Sequence, residues 1–149
     1  MEADRRAPVH ETGEIFVDAR PEIVWDTLTD LASWPRWMPG VKAMQVEQPA
    51  GVGTRFRWRA GPGTIRSEIL ESDRPRSVGW KGRTLGIDAL HAWRMEEQTG
   101  GCYVSTEESW RGALARMLPG VMRKAVRRAL DDGLPALKEE AERRAGPET

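Results

Sequence analysis

Thr54-Arg55-Phe56-Arg57-Trp58-Arg59-Ala60 alternates large apolar side chains with arginines at a strict period of two. In an extended chain successive side chains point to opposite faces, so Phe56 and Trp58 share one face and Arg55, Arg57 and Arg59 the other. Such a strand belongs to a sheet with one apolar face and one face in water. The same period runs through VKAMQVE (41–47), TIRSEILE (64–71), SVGWKG (77–82), GIDALHAWRMEE (86–97) and CYVSTEESWRG (102–112). QPAGVG, GPG, SDRPR, RTL and QTGG separate these segments and have the composition of turns. Six consecutive strands are expected. Gly51-Val52-Gly53 lacks the third glycine and following helix of a nucleotide loop and is expected to be a hairpin turn.

Upstream, GEIFVDA (13–19) alternates Ile15 and Val17 with polar neighbours and predicts a first strand. Residues 1–12 are charged and unpatterned, which predicts a flexible arm or a fraying strand start. Pro21 suits the first position of a helix, Glu22 favours the same end, and Ile23, Val24, Trp25 and Leu28 give that helix an apolar side. SWPRWMPG (33–40) follows, placing Trp34 and Trp37 on one face of a single turn bounded by prolines. Trp34, Trp37 and Met38 are expected to gate something apolar. From about Ala113 to Arg144, Leu114, Met117, Leu118, Val121, Met122, Ala125, Ala129, Gly133, Leu134 and Leu137 recur at spacings of three and four, which predicts one long amphipathic helix. Pro119-Gly120 either starts it or kinks its first turn, and Arg123, Lys124, Arg127 and Arg128 are expected on its solvent side.

An antiparallel sheet with one apolar face must cover that face, and the C-terminal helix is the only element large enough. The expected fold class is therefore α+β: a curved seven-stranded sheet around a long C-terminal helix, with two short helices after the first strand. A single domain over 13–144 with a tail at 145–149 fits a chain of 149 residues. Space left between sheet and helix is expected to form an internal cavity.

The totals exclude several functions. Lys and Arg together number 23, as do Asp and Glu, so no net field draws the chain to nucleic acid or an anionic membrane. In RFRWR the aromatics face inward and the arginines outward, the reverse of a single-strand stacking platform. The lone Cys102 rules out an internal disulfide and fits a reducing compartment. No apolar run reaches the roughly 20 residues of a membrane span, and MEADRRAPVHETG has no signal-peptide core. A cytoplasmic location without stable membrane insertion is expected. His10 and His91 lie too far apart to found a zinc site, so neither metal nor cofactor is expected.

Pro21-Glu22-Ile23-Val24-Trp25, Trp34-x-x-Trp37, Gly51-Val52-Gly53-Thr54, His91-x-Trp93-x-Met95, Gly100-Gly101 and Glu108-x-Trp110-x-Gly112 together resemble the START-like, or SRPBCC, superfamily, in particular its polyketide cyclase/dehydrase branch. The resemblance covers roughly residues 13–144. It implies a helix-grip fold that holds hydrophobic ligands between sheet and helix, in proteins ranging from aromatase/cyclases to lipid carriers. Aromatase/cyclases of the superfamily tend to use an arginine in the pocket; here Arg55, Arg57, Arg59, Arg66 and Arg94 all have outward parity.

Parity also predicts the lining. With Phe56 and Trp58 inward, Ile65, Ser67, Trp80, His91, Trp93, Met95, Thr106, Glu108 and Trp110 follow. A tight turn at Gln98–Gly101 sets Trp93 opposite Thr106 and His91 opposite Glu108. An imidazole and a carboxylate facing each other in an apolar wall suit acid–base work on a ketone or enol, and equally can satisfy one another as buried polar groups. Trp58, Trp80, Trp93 and Trp110 are candidates for a flat slot, with Ser67, Thr106 and Met122 completing a ligand site. The expected partner is a hydrophobic, cyclic or polyketide-like small molecule, cyclised or dehydrated through His91 and Glu108. Two rivals are an inert carrier or sensor of lipid, quinone or isoprenoid, and an interaction domain whose cavity is filled by its own side chains.

Overall fold

The computed structural model describes residues 1–47 and 49–147. The alternating segments form β1 (Val9–Val17), β2 (Val41–Val46), β3 (Arg55–Ala60), β4 (Gly63–Asp73), β5 (Ser77–Thr84), β6 (Ile87–Gln98) and β7 (Gly101–Arg111). Between β1 and β2 lie α1 (Pro21–Thr29), a 3₁₀ turn (Leu31–Ser33) and α2 (Trp34–Trp37); α3 (Ala113–Met117) and α4 (Pro119–Ala145) follow β7. The strands make one antiparallel sheet of order β1-β7-β6-β5-β4-β3-β2, the helix-grip arrangement.

The apolar face of the sheet and the helices bury a core of Val17, Val24, Leu28, Val104 and Leu137 among others. α4 runs along β1, an edge strand, so closely that a Cβ built on Gly13 would lie 2.7 Å from Leu134 Cδ1. The helix also closes that edge. Arg127 Nη1 donates to Thr12 O at 2.6 Å, Arg123 Nη2 to Pro8 O at 3.5 Å and Lys138 Nζ to Phe16 O at 3.0 Å, while Glu142 Oε2 accepts from Asp18 N–H at 2.8 Å. Backbone groups that would otherwise offer a template to another strand are thus occupied.

Several expectations change. β1 begins at Val9, not Gly13, and the expected arm lies against the outer face of the sheet: Ala3 is buried, its N–H donates to Glu107 Oε1 at 2.6 Å, and Asp4 N–H donates to Ser109 Oγ at 2.9 Å. The long helix breaks at Leu118, ahead of Pro119, so the helical phase restarts there. In consequence the buried stripe is Val126, Leu130, Leu134, Leu137 and Ala141, whereas Met117, Leu118 and Val121 are exposed. Arg123 is exposed as expected while also reaching Pro8 O, whereas Arg127 is half-buried against β1, where it meets Thr12 O and Glu11. The expected tail begins one residue inside α4, and its residues 148 and 149, like Gln48 of the turn QPAGVG, lie outside the described residues.

Candidate functional site

The concave face is organised in rows that cross the sheet. One row reads Ile69, Trp80, His91, Glu108 and Glu11 on β4, β5, β6, β7 and β1. Its neighbour on one side is Val78, Trp93, Thr106 and Gly13; on the other it is Phe56, Ser67, Gly82, Ala89, Trp110 and Val9. His91 stands opposite Glu108 and Trp93 opposite Thr106, as the hairpin turn predicts.

The two ends of this face differ. At the end capped by α1 and α2, Trp34 is wholly buried and donates from Nε1 to Leu28 O at 2.9 Å. Its ring meets Phe56 and Trp58 edge to face and lies tilted against Trp80, at centroid distances of 5.9, 5.3 and 5.4 Å. Trp34 is thus an internal plug, while Trp37 and Met38 are half-buried behind it. Trp37 Nε1 donates to Ser33 Oγ at 3.0 Å, an oxygen that also accepts from Arg144 Nη2 at 3.1 Å, tying the plug to the C-terminal turns of α4.

At the other end Trp58, Ile65, Ala89, His91, Glu108 and Trp110 keep solvent exposure on the sheet, and Met122 does so across from them on α4. Ser67, Gly82 and Ala89 are small and adjacent on three strands. The space over the first two is taken: Trp58 Nε1 donates to Ser67 Oγ at 3.1 Å, and a Cβ on Gly82 would meet Ser67 Oγ at 3.1 Å and Ile65 Cγ2 at 3.2 Å, so of the three only Ala89, beside Trp110, keeps exposure. The four tryptophans expected to form one slot therefore divide. Trp80 and Trp93 stack at 6.5 Å and are buried, whereas Trp58 and Trp110 keep partial exposure.

His91 and Glu108 sit at the boundary, each side chain 14% exposed, with Nδ1 and Oε1 3.6 Å apart. Each has its stronger bond elsewhere. Glu108 Oε2 accepts from Trp110 Nε1–H at 2.9 Å, and His91 Nε2 lies 2.9 Å from Thr106 Oγ1. Thr106 Oγ1 is also 2.9 Å from Ala92 O, which can only accept, so the hydroxyl proton points there and Thr106 receives a proton from His91. The network thus assigns the Nε2–H tautomer to neutral His91. Burial holds the imidazole below its ordinary value of 6.5, and the nearby Glu108 carboxylate opposes that shift only in part.

Glu11 is the site residue that the sequence analysis leaves out. It is the direct cross-strand neighbour of Glu108 and is held from α4 by Arg127 at 3.6 Å and Arg123 at 3.8 Å. A glutamate and a glycine at inward positions interrupt the apolar alternation of β1; following that alternation back from Ile15 to Val9 would have exposed it. Arg55, Arg57 and Arg66 do face outward, where with Lys81, Arg83 and Arg111 they line an open trough of about 1040 Å³, a charged surface unsuited to an apolar ligand. Burial pushes the Cys102 thiol up to about 11, which leaves it unreactive. Among the described residues no helix is long and apolar enough to cross a membrane.

The model of the family described as "Polyketide cyclase / dehydrase and lipid transport" matches residues 8–142. No curated protein matches the sequence. Among solved structures, the hypothetical protein jhp0584 from Helicobacter pylori superposes with a TM-score of 0.80 at 17% identity, covering 92% of this chain and 90% of that one. A START superfamily protein from Mycobacterium smegmatis gives 0.76 at 13% identity, covering 90% and 97%. The di-domain ARO/CYC StfQ from the steffimycin biosynthetic pathway gives 0.75 at 20% identity, covering 93% of this chain and 52% of that one. At these identities the structures share the fold.

Proposed function

The chain belongs to the polyketide cyclase/dehydrase and lipid-transport family of the START-like superfamily, and from that premise we propose that it binds a hydrophobic, cyclic or polyketide-like small molecule between the open end of the sheet and α4. Trp58, Trp110 and Met122 contact the ligand, Ser67 helps to orient its oxygens, Thr106 acts through His91 by fixing its ring, and His91 with Glu108 moves a proton on the ligand during cyclisation or dehydration. The observation that carries this reading is the His91–Glu108 pair, 3.6 Å apart on the inward face of the sheet with each side chain still partly exposed, and with the imidazole kept neutral by burial. Trp34, Trp37 and Met38 shut the opposite end and act on binding through the shape of the cavity.

The outward parity of the strand arginines favours a second reading, a carrier or sensor of lipid, quinone or isoprenoid. Native mass spectrometry of the purified protein, with identification of any copurified apolar molecule, tests binding under both readings. His91→Ala and Glu108→Gln then separate them. Loss of turnover with binding retained is the expected result for an enzyme, and unchanged turnover in both variants removes the acid–base proposal.

A further inference from the structure

We infer that the space between His91 Nδ1 and Glu108 Oε1 is a recognition notch for a hydroxyl donor, so that the ligand carries a phenolic or enolic O–H at that point. This rests on the proposed binding of a hydrophobic molecule at the open end of the sheet and specifies which polar group that molecule presents.

The inference follows from where the protons in the network already are. Thr106 gives its only hydroxyl proton to Ala92 O and accepts from His91 Nε2–H, so neutral His91 turns a bare lone pair on Nδ1 towards Glu108. Glu108 has one oxygen engaged by Trp110 Nε1–H, and its other oxygen, Oε1, faces that lone pair at 3.6 Å. Two acceptors face each other at a separation too long for a direct hydrogen bond, with no proton assigned between them.

Protonating the imidazole would supply the missing proton, but burial works against the cation. Glu11, the cross-strand neighbour of Glu108, adds a second carboxylate to the row and no donor; Arg123 and Arg127 are directed at Glu11 and β1. A group that donates one proton to both acceptors completes the arrangement. A ketone or an ether offers only further lone pairs and is disfavoured there. Trp110 and the small Ala89 opposite it, both partly exposed beside the notch, give an aromatic ring bearing that hydroxyl a flat place to lie.

Binding of 2-naphthol and of 2-methoxynaphthalene, nearly equal in shape and apolar area, is measured by calorimetry on the full chain. The naphthol is expected to bind about tenfold tighter, the scale of one hydrogen bond to a charged acceptor. In Glu108→Gln the amide carbonyl takes over the bond from Trp110 and the amide NH₂ turns to His91 Nδ1, so the preference is expected to vanish while the ether still binds. Nitrogen-detected NMR of the imidazole gives an independent readout, in which the ligand-free protein shows the Nε2–H tautomer. Equal affinity for the two compounds in the parent chain, or an Nδ1–H tautomer, overturns the notch and leaves the hydrophobic-ligand reading standing. Failure of both compounds to bind overturns that reading and the notch with it.

Discussion

The two ends of the concave face are built from the same kinds of residue, yet one end is solid and the other is not. At the α1–α2 end, Trp34 fills the angle between Phe56, Trp58 and Trp80, its one polar atom is bonded to Leu28 O, and no water reaches it. At the α3–α4 end the indole of Trp110 is half-buried, its Nε1–H is spent on a carboxylate, and Ala89, His91 and Glu108 beside it keep solvent exposure. A tryptophan inside a START-like sheet can therefore be core or cavity wall. Trp80, which meets Trp34, is sealed, while Trp58 meets Trp34 and still keeps exposure, so contact with the plug alone does not seal an indole; Trp110 meets no other aromatic ring among the described residues.

The sharpest way to break this contrast is to remove the plug. Trp34→Ala deletes a fully buried indole in contact with three aromatic rings, and a loss of about 3–5 kcal/mol is expected in denaturant unfolding. Trp110→Ala, at the open end, is expected to cost clearly less stability and more ligand affinity. Equal stability losses would mean that the two ends are packed alike.

A smaller effect tests the boundary between them. Thr106→Val keeps the shape of the side chain but leaves His91 Nε2–H and Ala92 O without their shared partner. About 1–3 kcal/mol of stability is expected to be lost, with Thr106→Ser retaining most of it. The imidazole ¹⁵N spectrum should also lose its single-tautomer signature in the valine variant only. Unchanged spectra in Thr106→Val would remove Thr106 as the positioning residue of His91.

The sheet was legible because its signal is local. Strict alternation around Phe56 and Trp58, and turn residues at regular intervals, set strand order, parity and the 91–108 pairing without knowledge of the rest of the chain. β1 was legible only in part: Glu11 and Gly13 occupy inward positions, the first for a charge row shared with Arg123 and Arg127, the second because α4 comes too close for a side chain. Those reasons lie more than 100 residues away. The helix stripe was misplaced because the spacing was read across the break at Leu118: continued from Met117 and Leu118 it selects Val121, Ala125 and Ala129, all exposed, where the phase of α4 buries Val126 and Leu130. Which tryptophans are sealed depends on where the short helix WPRW docks, and composition carries no information on that. The tautomer of His91 hangs on a single hydroxyl proton, visible only once Thr106 and Ala92 O are placed together.

The smallest expected effect concerns how each end answers acid. At the open end the native His91 titrates below the 6.5 of the unfolded chain, so the unfolded state binds the proton first and stability falls as pH drops through 6.5 towards the native value. At the closed end Glu140 is held down to about 2 by hydrogen bonds from Arg143 and Arg144, with burial opposing. Arg144 also reaches Asp30 and the Ser33 hydroxyl beneath Trp37, so this pairing fastens the plug to the helix. A carboxylate with a depressed native pKa contributes stability that is present above the unfolded value of 4.5 and is lost as pH falls from there to about 2. Unfolding measured from pH 8 to pH 2 should accordingly show two declines. His91→Gln is expected to flatten only the upper one. Glu140→Gln, costing about 1 kcal/mol near neutrality because the Arg143 partner of the buried carboxylate is largely exposed and screened, should flatten only the lower one, and its stability should converge with that of the parent chain near pH 2. A Glu140→Gln deficit that persists undiminished at pH 2 would assign the residue a packing role and detach the closed end from the ion pair.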